Sequence, residues 1–193
     1  MHDTDFNRIR QGDKTAFSML VKRFQKPLFS YLGKMGLPQA VAEEVAQETF
    51  IRAWQARDQY DPERAAISTW LFTITRRLAL NELQRAANRY ERSNNQANTV
   101  SAYANEKQTQ HQDQQQAAPS DLLQQSQQHQ LLYGALQALS ATDRSLLALA
   151  YLKELELAAI ADIEGIPVGT VKSRLYRIRQ QLKTTLNAGA DHE

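Results

Sequence analysis

From Phe17 onward the apolar positions recur at helical spacing: Phe17, Leu20, Val21, Phe24, Leu28 and Tyr31 are three or four residues apart. Gly33 and the run Gly36-Leu37-Pro38 are expected to interrupt this first helix. A second helix, roughly Gln39 to Arg57, sets Val45, Thr49, Ile51-Arg52 and Trp54 around a cylinder. The polar stretch Gln59 to Arg64 reads as a loop. A third, long helix is predicted from about Ser68 to Arg92, with Trp70, Leu71, Ile74, Leu78 and Leu83 as its apolar stripe. No run alternates with period two long enough for a sheet, and only seven glycines are present, few for a hairpin-rich fold.

The pattern stops near Ser93. Residues 93–119 are rich in Gln, Asn and Ser, with Val100 and Tyr103 as their only large apolar side chains. Such a segment buries too little to offset a backbone ordering cost of roughly 1–2 kcal/mol per residue, so it reads as a flexible, solvated linker. Helical periodicity then resumes. Pro119-Ser120-Asp121 offers a helix start, and Leu131, Leu132, Ala135, Leu136 and Leu139 continue it. Ser140-Ala141-Thr142-Asp143 breaks and restarts the chain, and Leu146, Leu147, Leu149 and Ala150 give the next apolar face. Two more helices bracket Glu164-Gly165-Ile166, and residues 187–193 read as a frayed tail. The expected fold is all-α, with two small helical domains joined by the linker: 1–92, then 93–119, then 120–187. No internal repeat is visible.

Composition narrows the function classes. Of the 193 residues 42% are hydrophobic, while a mean hydropathy of −0.57 reflects dilution by the polar segment. The absence of cysteine excludes disulfides and thiolate metal sites and fits a reducing cytoplasm. The first residues, MHDTDFNRIRQGDK, carry acids and no apolar run, unlike a signal peptide. No stretch approaches the roughly 20 apolar residues of a membrane span, so no membrane insertion is expected. Net charge is only +2, so a nucleic-acid role must come from local patches.

One such patch is clear. Leu157 to Ile163, a short turn, then Pro167 to about Leu182 has the layout of a helix-turn-helix. Gly165 suits the left-handed end of one helix, and Pro167 the start of the next. In the second helix Val171, Leu175, Ile178 and Leu182 share an inward face. Lys172, Ser173, Tyr176 and Arg177 lie away from it, where a major groove about 12 Å wide would admit them to base edges. Arg174, Arg179 and Lys183 flank that surface and suit phosphates. Farther upstream, Arg76, Arg77, Asn81 and Arg85 form a second polar stripe beside Ile74 and Leu78. Trp70 lies within Thr69-Trp70-Leu71 and reads as core.

These motifs resemble a known family. VGTVKSRLYRIRQQL, with the preceding LQALSATDRSLLALAYLKELELAAIADIEGIP, is similar to region 4 of bacterial sigma factors, the extracytoplasmic-function group above all. VAEEVAQETFIRAW and YDPERAAISTWLFTITRRLALNELQR resemble regions 2.2, 2.3 and 2.4. The resemblance implies a dissociable subunit of RNA polymerase with no active site, cofactor, metal or small-molecule substrate of its own. Region 4 would read the −35 element through Lys172, Ser173, Arg174, Tyr176, Arg177 and Arg179. The −10 contacts would come from Tyr60, Asp61, Arg64 and Ser68, where a loop pocket could take a flipped base, and from Arg76, Arg77, Asn81 and Arg85. Core polymerase would dock on Glu43, Glu44, Gln47, Glu48, Phe50, Ile51 and Trp54. Phe50 and Trp54 could equally be core residues. An anti-sigma factor is an expected partner, a homo-oligomer is not, and the linker would thread toward the polymerase active centre.

Four positions depart from the family's common pattern. Val41 stands in place of Asp, Arg77 in place of Asn, and Ser140-Ala141 in place of Pro-Pro, which would loosen a helix boundary. Glu164 occupies a usually apolar place. Two other classes of function compete. A helix-turn-helix regulator that works without polymerase shares the second motif but has no need of VAEEVAQETFIRAW. An enzyme such as a nuclease is disfavoured: His2, His111, His129 and His192 lie at the ends or in the polar zone, and no carboxylates have metal-ligand spacing.

Overall fold

The computed structural model describes residues 3–96, 131–152 and 155–190. Among these the chain is helical, with no strand. Helix α1 (Asp3–Arg10) buries Phe6 and Ile9. Asp13 then caps α2 (Lys14–Lys34), its carboxylate accepting from the amides of Thr15 and Ala16 at 2.8 and 3.1 Å. Chiefly the Ala16 amide, and also Arg8, hold the Asp13 carboxyl below the usual carboxylate range. Gly33 does not interrupt α2 as expected. The helix runs through both Pro27 and Gly33, and the chain turns only at Gly36, whose φ is +84°. Helix α3 (Gln39–Gln55) follows Pro38, a 3-10 turn spans Arg57–Gln59, and α4 is Ile67–Gln96. Buried hydroxyls on these helices donate back to their own backbone, Thr49 to Val45 and Thr75 to Leu71.

The expected helix start at Pro119-Ser120-Asp121 and most of the Gln-rich segment lie outside the described residues. Residues 131–137 form α5. Next come α6 (Ala141–Ala150), α7 (Leu157–Glu164) and α8 (Val168–Ala190). Ser140 does not leave the α6 boundary loose: its hydroxyl accepts from the Asp143 amide at 3.1 Å, an N-cap that Pro could not supply.

The described helices fall into two halves, before and after residues 97–130, and these pack against each other. One core lies wholly within the first half and gathers Phe6, Ile9, Leu20, Phe24, Tyr60 and Leu71. The other crosses between the halves. The last turns of α2 supply Leu28, Tyr31 and Leu32, and its capping residue Met35 joins them; these share a core with Leu146, Leu149, Ile160 and Ile163 of α6 and α7. Periodicity had marked Leu28 and Tyr31 as apolar-face residues. It could not say that helices more than a hundred residues away would cover them.

Candidate promoter and polymerase interface

Three surfaces are built by these helices. The first belongs to α8. Gly165 adopts φ +68°, ψ +34°, and the amides of Gly165 and Ile166 both donate to the Ala161 carbonyl, so α7 ends in a left-handed turn. Pro167 accepts from the Val171 amide at 3.0 Å and opens α8. Val171, Leu175 and Ile178 are buried beneath, which turns Lys172, Ser173, Tyr176, Arg177 and Arg179 outward. Arg174 is half-buried. Tyr176 is 67% exposed, unusual for so large an aromatic side chain. Arg177 lies 3.6 Å from Asp143 at the start of α6, a pairing that ties α8 to the helix preceding the helix-turn-helix. Among the described residues no ion pair engages Lys172 or Arg179.

The second surface lies on α4 and the loop before it, and here two expectations fail. Arg76 is not on the exposed stripe. Its guanidinium is 2.8 Å from the Glu164 carboxylate of α7, with side-chain exposures of 16% and 1%. Arg77, Asn81 and Arg85 remain exposed, although Arg85 is paired with Glu82 at 2.5 Å. Tyr60 is not an exposed loop residue either. It is buried edge-on to Phe6 at 4.2 Å and beside Trp70 at 5.1 Å, because α1, unnoticed in the sequence, brings Phe6 over it. Trp70 joins this aromatic cluster, in keeping with its reading as core. Asp61 and Arg64 are exposed and Ser68 half-buried.

The third surface is a groove of about 550 Å³ between α2 and α3. Phe17, Val21, Phe29, Phe50, Ile51 and Trp54 line it, with Lys14, Glu43 and Gln47 at its rim. Trp54 packs on Phe17 at 5.0 Å and under the Arg57 guanidinium at 4.7 Å. Phe50 and Trp54 are thus packed on one side and line the groove on the other. Glu43, Glu44 and Gln47 are exposed, and Glu48 is held by Arg52 at 2.6 Å. The contribution of α2, Phe29 above all, was not found in the sequence. Its signal in the sequence was an aromatic residue directly after Leu28, off the apolar stripe; in the structure Phe29 is 39% exposed.

Against known proteins, Sigma-70 region 2 matches residues 20–89 and Sigma-70 region 4 matches residues 129–182. The chain is 29% identical over 174 residues to the ECF RNA polymerase sigma factor RpoE of Cereibacter sphaeroides, covering 88% of each. The fold is that of CnrH, solved in complex with the cytosolic domain of CnrY (TM-score 0.66, 22% identity, 96% of each chain). It is also that of RpoE of Bartonella quintana, solved with the anti-sigma factor NepR (TM-score 0.62, 23% identity, 89% of this chain and 96% of that one). The chain belongs to the sigma-70 family, in its extracytoplasmic-function group. It is a sigma factor, which directs promoter-specific transcription initiation.

Proposed function

We propose that the three surfaces divide the work of initiation. The groove face of α3, with Glu43, Glu44, Gln47, Glu48, Phe50, Ile51 and Trp54, docks core RNA polymerase. Its apolar floor and the acids Glu43, Glu44 and Glu48 along α3 suit a partner helix pair with a basic, partly apolar face. Lys172, Ser173, Tyr176 and Arg177 read −35 base edges in the major groove, while Arg174 and Arg179 hold phosphates. Arg77, Asn81 and Arg85, with Asp61, Arg64 and Ser68 of the preceding loop, engage the −10 element. Arg76 joins them once free of Glu164. The observation that carries this reading is one chain presenting two separate cationic helix faces together with an apolar groove.

The functional units are 1–92 for docking and −10 recognition, 93–119 as tether, and 120–187 for −35 recognition. The chain works in the cytoplasm without catalysing a reaction itself. An anti-sigma protein holds it inactive, a partnership supported by the NepR complex of the Bartonella quintana protein. Run-off transcription on genomic fragments tests the reading. Transcripts from a defined promoter set should require both this chain and core polymerase. Retardation of the same DNA by the chain alone, with no transcript when core is added, would instead mark a polymerase-independent regulator.

A further inference from the structure

The seam between the halves contains four polar side chains in a row. Arg76 of α4 pairs with Glu164 Oε2 of α7 at 2.8 Å. Glu164 Oε1 accepts from the Ser145 hydroxyl of α6 at 2.5 Å. Ser145 Oγ lies 2.7 Å from the Tyr31 hydroxyl of α2. Ser145 has one proton and gives it to the carboxylate, so Tyr31 must donate to Ser145. Two members come from each half. Tyr31 and Ser145 are fully buried, Glu164 is 8% exposed, and burial pushes the Tyr31 hydroxyl above its ordinary range. The polar row therefore exists only while the halves are together.

We infer that Glu164, with Ser145 and Tyr31, forms a latch that captures Arg76 and closes the two promoter-reading halves on each other in the free chain. Reading a promoter requires its release. The inference rests on the division of surfaces proposed above, and three arguments carry it. First, Arg76 cannot pair with Glu164 and with a DNA phosphate at once, and α7 covers the start of the α4 stripe. Second, the closed form is too short. The −10 and −35 elements are roughly 25 base pairs apart, or about 85 Å at 3.4 Å per pair. From Arg85 through the Arg76–Glu164 pair to Arg177 the path is about 45–50 Å, even with the helix lengths laid end to end at 1.5 Å per residue.

Third, the chemistry suits a reversible closure. A buried ion pair gains little over an apolar contact, because its attraction is offset by desolvation. Opening returns both charges to water, so the seam separates more readily than an all-apolar one. Removing one partner leaves a buried charge uncompensated and acts against the closed form alone. An apolar residue at position 164 could not discriminate in this way.

The chain has no cysteine, so spin labels can be placed at will. Ser18→Cys on α2 and Gln181→Cys on α8 replace exposed residues in different halves. Pulsed dipolar spectroscopy on the full free chain should give one short, narrow distance. Glu164→Gln should broaden and lengthen it, Tyr31→Phe should do so less, and Arg76→Gln combined with Glu164→Gln should partly restore it. Each variant is checked for unchanged helicity, and one that loses it is replaced by Ser145→Ala, which deletes a link without leaving a charge. If nine-tenths of the free chain is closed, Glu164→Gln should also tighten core polymerase binding by up to about tenfold. A wild-type distance that is already broad, or one unmoved by Glu164→Gln and Ser145→Ala, overturns the latch. A distance that lengthens while no variant binds core polymerase would leave the latch standing and remove the proposed function instead.

Discussion

Helices α4 and α8 look like the same device in sequence. Each is long, each buries an apolar stripe, and each carries cations and amides at helical steps on the other side. Their cations have different fates. On α8, Lys172 and Arg179 face outward, and among the described residues no acid pairs with them; Arg177 touches Asp143 at 3.6 Å. On α4, Arg76 is captured by Glu164 and Arg85 by its own neighbour Glu82. A cationic stripe is thus a capacity, and its availability is set by what packs beside it. Here α8 leaves most of its cations open to solvent, whereas α4 begins under the cover of α7.

The largest effect that could break this comparison is in the stripes beneath. Val171 is fully buried, and Val171→Asp should cost roughly 3–5 kcal/mol, because the charge has no partner in the core. The second half should lose its helicity in thermal or urea melts, whereas Lys172→Asp, one position on, should keep the fold and lose promoter binding. If Val171→Asp melts like the wild type, α8 is not seated as described.

A smaller effect separates reading from holding within α8. Arg177→Ala should cost about 1–3 kcal/mol at one −35 position and nothing on promoters already altered there. Arg179→Ala should weaken every sequence alike and reduce the salt slope by about 0.9. Equal losses for both across a randomised −35 library, assayed with core polymerase, would reduce α8 to an electrostatic surface.

The smallest effect compares the two helices directly. Glu82 already neutralises part of the charge on Arg85, so Arg85→Ala should change the salt dependence of promoter binding less than Arg179→Ala does. Glu82→Gln should then strengthen binding at low salt by a factor of a few. Titrations from low to moderate ionic strength check this, and an unchanged affinity in Glu82→Gln would show that the Arg85 pair does not compete with DNA.

Sequence alone determined what depends on near neighbours. The apolar periodicity defined the helices, although α1 went unseen and α2 was broken too early at Gly33. The Gly165 and Pro167 turn, the inward face of Val171, Leu175 and Ile178, and the outward face of Lys172 to Arg177 were all legible, because each is set by residues within a few turns. Tertiary structure decided the rest. Tyr60 became core because α1 folds back over it, and the groove gained Phe29 because α2 lies beside α3. Arg76 left the exposed stripe because Glu164, 88 residues away, reaches it. Glu164 was already visible as an acid in an apolar place, but its partner was not. Periodicity tells which face of a helix avoids water, and only the packed chain decides which other helix covers that face and which charges it traps on the way.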